Sequence, residues 1–203
     1  MTIHSDPSVV LDGVRVSRGG RTIVEDVSLR LHAGEILVIL GESGLGKTTV
    51  LHTAAGLLEP DAGIVTRNVE RQGILFQEAR LLPWMSVGRN IRIAAPGRGV
   101  WSSANGPEVD EALDEVGLRD VAHLPPFRLS GGMQRRAALA RALFARPQVV
   151  FADEPFAHLD SQSAKTVGLA LGRAAAEGAA VLVTAHEITE VFTTMGIYRT
   201  LFL

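Results

Sequence analysis

No cysteine occurs anywhere in the 203 residues. Disulfides, thiolate metal centres and thiol nucleophiles are excluded in one step, and a cytosolic location fits a chain without them. Lysine is nearly absent as well. It stands only at 47 and 165, so arginine carries almost all the positive charge, which reads as composition bias in the genome. The formal net charge is -2, without the basic excess by which proteins usually hold nucleic acid, so no nucleic-acid partner is expected. No stretch approaches the roughly 20 apolar residues of a membrane span, and Met1-Thr2-Ile3-His4-Ser5-Asp6-Pro7 does not read as a signal peptide. A soluble chain, at most peripheral to a membrane, is expected. There is no internal repeat and no low-complexity run. The length suits one α/β domain with a small appendage.

Against these absences stands Gly41-Glu42-Ser43-Gly44-Leu45-Gly46-Lys47-Thr48-Thr49, which fits G-x-x-x-x-G-K-[ST] without mismatch. The apolar run from Glu35 to Leu40 before it is of strand type. Thr48 to Leu58 after it reads as a helix closed by Glu59-Pro60. Strand, loop and helix are the context a phosphate-binding loop requires. Its glycines let the backbone turn tightly and aim several N–H groups at phosphate oxygens, and the helix start behind them favours negative charge. Lys47 supplies a mobile cation for the terminal phosphates, and Thr48 offers a hydroxyl to Mg²⁺. The motif says nucleotide without saying which chemistry.

The rest of the chain supplies candidates for that chemistry. Val9-Val10-Leu11 with Val14-Arg15-Val16, and then Val24 to Leu31, read as antiparallel strands separated by Arg18-Gly19-Gly20-Arg21. Gly63 to Thr66 and Gly73 to Phe76 are two further short strands. Residues 78 to 147 change character. Pro83, Trp84, Pro96, Gly97 and Gly99 punctuate loops, while Glu108 to Val116 and Met133 to Ala145 have helical periodicity, giving a largely helical insert. Leu129-Ser130-Gly131-Gly132 opens the second of these helices, with Ser130 as N-cap and glycines that expose backbone N–H groups, a second anion-friendly helix start. Val149 to Ala152 is an apolar strand, Ser161 to Glu177 a helix, and Ala179 to Thr184 a buried strand. Strands alternating with helices imply a mostly parallel sheet.

Four apolar strands each run into polar groups: Leu40 into the phosphate loop, Phe76 into Gln77, Ala152 into Asp153-Glu154, and Thr184 into Ala185-His186. In open α/β sheets ligands bind at the carboxyl ends of the strands, so these groups are expected to meet around one nucleotide. Asp153 suits an outer or direct role at Mg²⁺, an ion that keeps several waters and takes few carboxylates. Glu154 is placed to orient or deprotonate an attacking water. Phosphoryl transfer asks for little covalent help, so positioning and charge stabilisation by Lys47, Mg²⁺, Gln77 and His186 carry most of the work. A lone histidine is more often structural; His186 gains weight from its place at a strand end beside the others.

In this order the phosphate loop, Gln77, Leu129-Ser130-Gly131-Gly132, Asp153-Glu154-Pro155, Leu159-Asp160 and His186 resemble the ATP-binding cassette of ABC transporters, from about Val9 to the end of the chain. Leu-Ser-Gly-Gly is the discriminating element. The resemblance implies a P-loop NTPase core (1–76 and 148–203) with an antiparallel β edge, and a helical subdomain (77–147) inserted into it. It also implies a head-to-tail dimer in which Ser130, Gly131 and Gly132 of one copy close over the γ-phosphate held by the other. ATP and Mg²⁺ are the implied cofactors, the ion taken by Thr48, Gln77 and Asp153, and the implied reaction is hydrolysis. Ala157 to Asp160 is the implied link between the two sites.

The chain departs from the family pattern in several places. Arg18 stands where an aromatic residue usually stacks on adenine, and a guanidinium plane can stack on a base. The signature normally ends Gln-Arg, where this chain has Met133-Gln134-Arg135-Arg136 in transposed order. Ala157 replaces a usual serine, and Ala185 a usual threonine before the histidine. None removes a catalytic group.

The stretch from Glu78 to Val87 resembles the nitrate, sulfonate and taurine branch of the importers, whose corresponding region touches the coupling helix of the membrane subunit. Leu81, Leu82, Trp84 and Met85 are candidates for an apolar contact patch there, with ordinary packing as the alternative for each. Together these features imply the ATPase subunit of a bacterial importer, on the inner face of the cell membrane beneath separate permease subunits and served indirectly by a solute-binding protein. The chain ends soon after His186, which reads either as a minimal cassette, without the regulatory domain that some importer ATPases carry, or as one trimmed of its last strands and helices. The competing expectations are a soluble ABC protein of nucleic-acid or translation work, which usually carries paired cassettes or long insertions, and a nucleotide-gated module without turnover, against which Glu154 argues. A small-molecule kinase would share the phosphate loop but has no need of the signature.

Overall fold

The computed structural model describes residues 6–95 and 106–203. Met1 to Ser5, and the loop residues Pro96, Gly97 and Gly99, lie outside them. The amino-terminal part is an antiparallel sheet in the order β2-β1-β4, built from β1 (Val9–Arg18), β2 (Arg21–Leu31) and β4 (Ala62–Arg67). The two valine-rich segments expected before Arg18 form one continuous strand, irregular in register around Gly13, whose φ is 58°. Alternation of buried and exposed residues along β1 places Val9, Leu11, Val14 and Val16 on the inner face.

The second sheet is wholly parallel, in the order β5-β6-β7-β3-β8, from β3 (Ile36–Leu40), β5 (Gln72–Leu75), β6 (Val149–Ala152), β7 (Ala180–Ala185) and β8 (Arg199–Phe202). Every residue of β3, β6 and β7 is buried, which is why these strands read as unbroken apolar runs. Phe151 and Phe192 are the largest fully buried side chains among the described residues. The strand at 62–67 joins the antiparallel sheet, whereas β5 joins the parallel one. The sequence signalled neither assignment, because short strands carry no label of the sheet they will enter. The sequence reading also gave no strand at 199–202.

Helix α1 (Lys47–Ala54) is shorter than the expected span to Leu58. Gly56, at φ 74°, turns the chain first, and the backbone N–H of Leu57 closes onto the His52 carbonyl at 2.8 Å. Between β5 and β6 lie α2 (Val87–Arg92), α3 (Pro107–Asp114) and α4 (Gly131–Phe144), with 3-10 turns at Arg119–Val121 and Pro126–Arg128. The sequence predicts no separate helix for the six residues of α2, too few for periodicity to register. Ser86 caps α2, and the buried Asn90 ties it to the preceding turn. The Asn90 side chain accepts from Leu82 N–H at 2.7 Å and donates to the carbonyls of Leu82, Met85 and Ser86.

Helix α4 has two packing faces. Ala137 and Ala140 join Val87, Ile91, Val109 and Leu113 in a separate helical cluster. Ala138 and Leu139 pack into the core beneath the parallel sheet. Helix α5 (Ser161–Ala176) covers the same core through Val167 and Leu171, and the chain returns over it in a 3-10 segment, Glu190–Met195. No helix of the described residues is long and apolar enough to cross a membrane.

Candidate active site

The phosphate loop leaves the carboxyl end of β3 and enters α1 at Gly46, which is in the left-handed region at φ 92°. A Cβ at that position would lie 2.8 Å from Val24 Cγ2 and 3.0 Å from the Ile23 carbonyl. The loop is wedged against β2, so glycine answers both a conformational and a spatial demand. Lys47 is buried. Its Nζ donates to the carbonyls of Gly41 at 2.8 Å and Glu42 at 2.9 Å, and lies 3.4 Å from His186 Nδ1. Glu42, Ser43, Gly44 and Leu45 are exposed on the loop, and Thr49 lies half-buried one residue beyond Thr48.

Because β5, β6, β7 and β3 are consecutive neighbours in one parallel sheet, the residues after their carboxyl ends meet. Asp153 is only 1% exposed. Its Oδ1 accepts from Thr48 Oγ1 at 3.0 Å and from Thr184 Oγ1 at 2.7 Å, and the Thr184 hydroxyl in turn accepts from the Glu154 N–H at 2.9 Å. Glu154 sits at φ 44°, an uncommon conformation for a residue with a side chain. One of its carboxylate oxygens lies 2.9 Å from His186 Nε2, and the other accepts from Gln77 Nε2 at 3.1 Å. These contacts choose the histidine tautomer. An ammonium group can only donate, so Nδ1 accepts from Lys47 and Nε2–H donates to Glu154. Lys47, Thr48, Gln77, Asp153, Glu154 and His186 thus form one connected hydrogen-bonded group.

Three members of this neighbourhood escaped the sequence reading. In the sequence Thr184 reads only as the end of a strand; a hydroxyl at a fully buried strand position is the available signal. His52 places Nε2 4.0 Å from Asp153 Oδ2, and burial holds its pKa below the usual histidine value despite the attraction of Asp153, with Arg80 and Arg18 pushing the same way. Arg18, exposed at the end of β1, therefore lies within electrostatic reach of the site. Arg135 is the third, a buried arginine one turn into α4.

The residues fit Mg²⁺ only in company with a nucleotide. Among the described residues no group of three or more His, Cys, Asp or Glu is placed to hold a metal. Thr48 and Asp153 offer hard oxygen donors already 3.0 Å apart, and Mg²⁺ bound through one or two carboxylates completes its shell with water and phosphate oxygens.

The start of α4 is elsewhere. Ser130 caps it, accepting from Met133 N–H at 3.3 Å. A Cβ at Gly132 would find Ser163 Oγ, Asp160 Oδ2 and Leu159, whereas one at Gly131 would meet nothing within 4 Å. The described structure does not bring Ser130, Gly131 and Gly132 onto the phosphate loop of the same chain. They face outward beside the start of α5.

A family model described as "ABC transporter" matches residues 24–157. The chain belongs to the ABC transporter family. It is 44% identical over 159 residues to the aliphatic sulfonates import ATP-binding protein SsuB 2 of Burkholderia cenocepacia, covering 73% of this chain and 57% of that protein. It is 39% identical over 200 residues to the SsuB 1 protein of Mesorhizobium japonicum, covering 95% and 75%. The match thus spans little more than half of the Burkholderia relative. Among solved structures, the ABC family fold superposes on a dimeric bacterial ABC transporter cassette with TM-score 0.77 and 28% identity, covering 95% of this chain and 94% of that one. A dimeric post-hydrolysis cassette bound to ADP and Pi gives TM-score 0.77 at 27% identity, covering 88% of each chain.

Proposed function

We propose that this chain is the ATP-hydrolysing subunit of a bacterial importer of oxyanions of the sulfonate class, working as a head-to-tail dimer beneath separate membrane subunits at the inner face of the cell membrane. The observation that carries the reading is Glu154, bonded on one side to His186 and on the other to Gln77, with Lys47 on the far side of the histidine. Lys47 and the N–H groups of residues 41–49 bind the phosphates. Thr48, Asp153 and Gln77 are the residues to hold Mg²⁺, which when bound neutralises charge on the phosphate oxygens. Glu154 orients a water or accepts its proton as the water oxygen bonds to the γ-phosphorus and the bond to the ADP oxygen breaks. His186 holds the carboxylate and stabilises the charge that develops.

Arg18 contacts the base. Ser130, Gly131 and Gly132 close the site of the second copy, an assignment supported by the open face over Gly131. Residues 1–76 and 148–203 form the nucleotide-binding core and 77–147 the helical subdomain, a division supported by the separate cluster around Ile91 and Leu113. Within the proposed permease contact, Trp84 is 73% exposed while Leu81 packs against two hydrophobic clusters. Trp84 is therefore the anchor and Leu81 a packing residue. The sulfonate class rests on the names of the relatives.

Replacing Glu154 by Gln is expected to lower ATP turnover by roughly 100-fold or more while retaining ATP binding and trapping a dimer. A variant that hydrolyses at the normal rate removes Glu154 from this role. Affinity capture from membranes is expected to recover an integral permease; recovery of ribosomes or DNA would instead favour the soluble alternative.

A further inference from the structure

Arg135 is only 5% exposed, yet it carries a permanent charge. A guanidinium has five N–H donors, and here each has its own backbone carbonyl. Nε donates to Pro155 at 3.4 Å. One terminal nitrogen donates to Phe76 at 2.7 Å and to Gln77, and the other to Asp153 at 2.8 Å and to Glu154. Burial holds its pKa below the usual arginine value, opposed by the attraction of the Asp153 and Glu154 carboxylates.

The position of these carbonyls gives the arrangement its meaning. Backbone pairing between β5 and β6 ends at Leu75 and Ala152, with a last bond from Asp153 N–H to the Leu75 carbonyl. Beyond it the two chains part, one toward Gln77 and the other toward Glu154. Arg135 spans the gap and grips both. It holds the backbone of two residues whose side chains meet at 3.1 Å, one of them in the left-handed region, where a side chain needs outside support. It projects from α4, whose first turn is capped by Ser130. Removing such an ion leaves its buried carbonyl partners unpaired and costs stability, so its effect on the fold has to be read separately from its effect on turnover. It lies, moreover, in the stretch where the chain departs from the family signature.

We propose that Arg135 is a positioning residue for hydrolysis, fixing the backbones of Gln77 and Glu154 in register with the Ser130 end of α4. Any displacement of that helix start is then felt by both groups at once. This goes beyond the ATPase reading and rests on it.

The test uses the full chain with Arg135→Met and Arg135→Lys, each in the wild-type and Glu154→Gln backgrounds, reading kcat, KM for ATP and the folded fraction by circular dichroism. Arg135→Met is expected to lower kcat roughly 10–100-fold with KM changed less than about threefold. Arg135→Lys, with the charge but three donors, should fall between. In the Glu154→Gln background neither substitution is expected to lower the residual rate by more than about twofold, because the group being positioned has gone. Three results would overturn the proposal: wild-type kcat per folded molecule in both variants, an equal loss in both backgrounds, or failure of both to fold, which assigns Arg135 to the fold alone. If wild type hydrolyses ATP and Glu154→Gln does not, while Arg135→Met runs at the wild-type rate, only this inference fails. A wild-type chain without ATPase activity would bring down the reading beneath it as well.

Discussion

Two glycine-rich helix starts, at Gly46 and at Gly131, carry the same chemical offer of exposed backbone N–H groups, and the fold treats them in opposite ways. The first is hemmed in. Gly46 has Val24 and Ile23 against it, Lys47 is buried behind it, and Thr48 is bonded to Asp153. The second opens outward, with Gly131 facing empty space and only Gly132 resting on the start of α5. A helix start enclosed by its own chain is one whose shape must be defended. One left open is free to meet a partner, as the proposed second copy requires.

The contrast can be broken by small changes on either side. The largest effect is expected from Gly46→Ala. The left-handed backbone penalises a side chain and the clash with Val24 adds overpacking, together about 2–5 kcal/mol, or roughly 5–15 °C in Tm for a chain this size. Thermal unfolding checks it, and an unchanged midpoint would show that the loop is not confined as described. Gly131→Asp is expected to leave the midpoint within about 1 °C while turnover in the assembled dimer falls roughly 100-fold. A comparable loss of stability would mean that the open face is filled.

The smallest effect sharpens the outer side. Asp160 caps α5, accepting from Ser163 N–H and Oγ, and these bonds hold its carboxyl below the usual aspartate range. A depressed carboxyl pKa stabilises the fold above the unfolded value, and the benefit is lost as pH falls through the folded one. Asp160→Ala should therefore lower Tm by roughly 2–4 °C at neutral pH, with the difference from wild type closing in acid. A difference that persists in acid would show that the cap does not act through the ionised carboxylate.

Much of the enclosed region was legible in the sequence. Buried parallel strands announce themselves as apolar runs, and the polar residue that ends each run is forced to the sheet's ligand-binding edge; Gln77, Asp153, Glu154 and His186 were found in this way. What escaped depends on contacts rather than on local pattern. Thr184 looks like any strand threonine until Asp153 and Glu154 are seen on either side of it. Arg135 stands out in the sequence only as part of the transposed signature, because nothing local tells that its face of α4 turns toward the ends of β5 and β6. The pattern predicts too long a helix after the phosphate loop because Glu59-Pro60 is a more conspicuous stop than Gly56, where the helix in fact gives way. The outward-facing signature was legible only by resemblance, since a start that finds no partner in its own chain leaves no trace in that chain's periodicity.

Asn90, with one bond accepted and three donated into residues 82–86, fixes the shape of the turn that carries Trp84 within the fold itself. Whatever docks at Trp84 meets a finished surface. The backbone ordering that association commonly demands is met in advance, and what remains is to immobilise exposed side chains such as Trp84, at about 0.5–1.5 kcal/mol each. For the proposed permease contact this leaves encounter a matter of diffusion and orientation more than of refolding the turn.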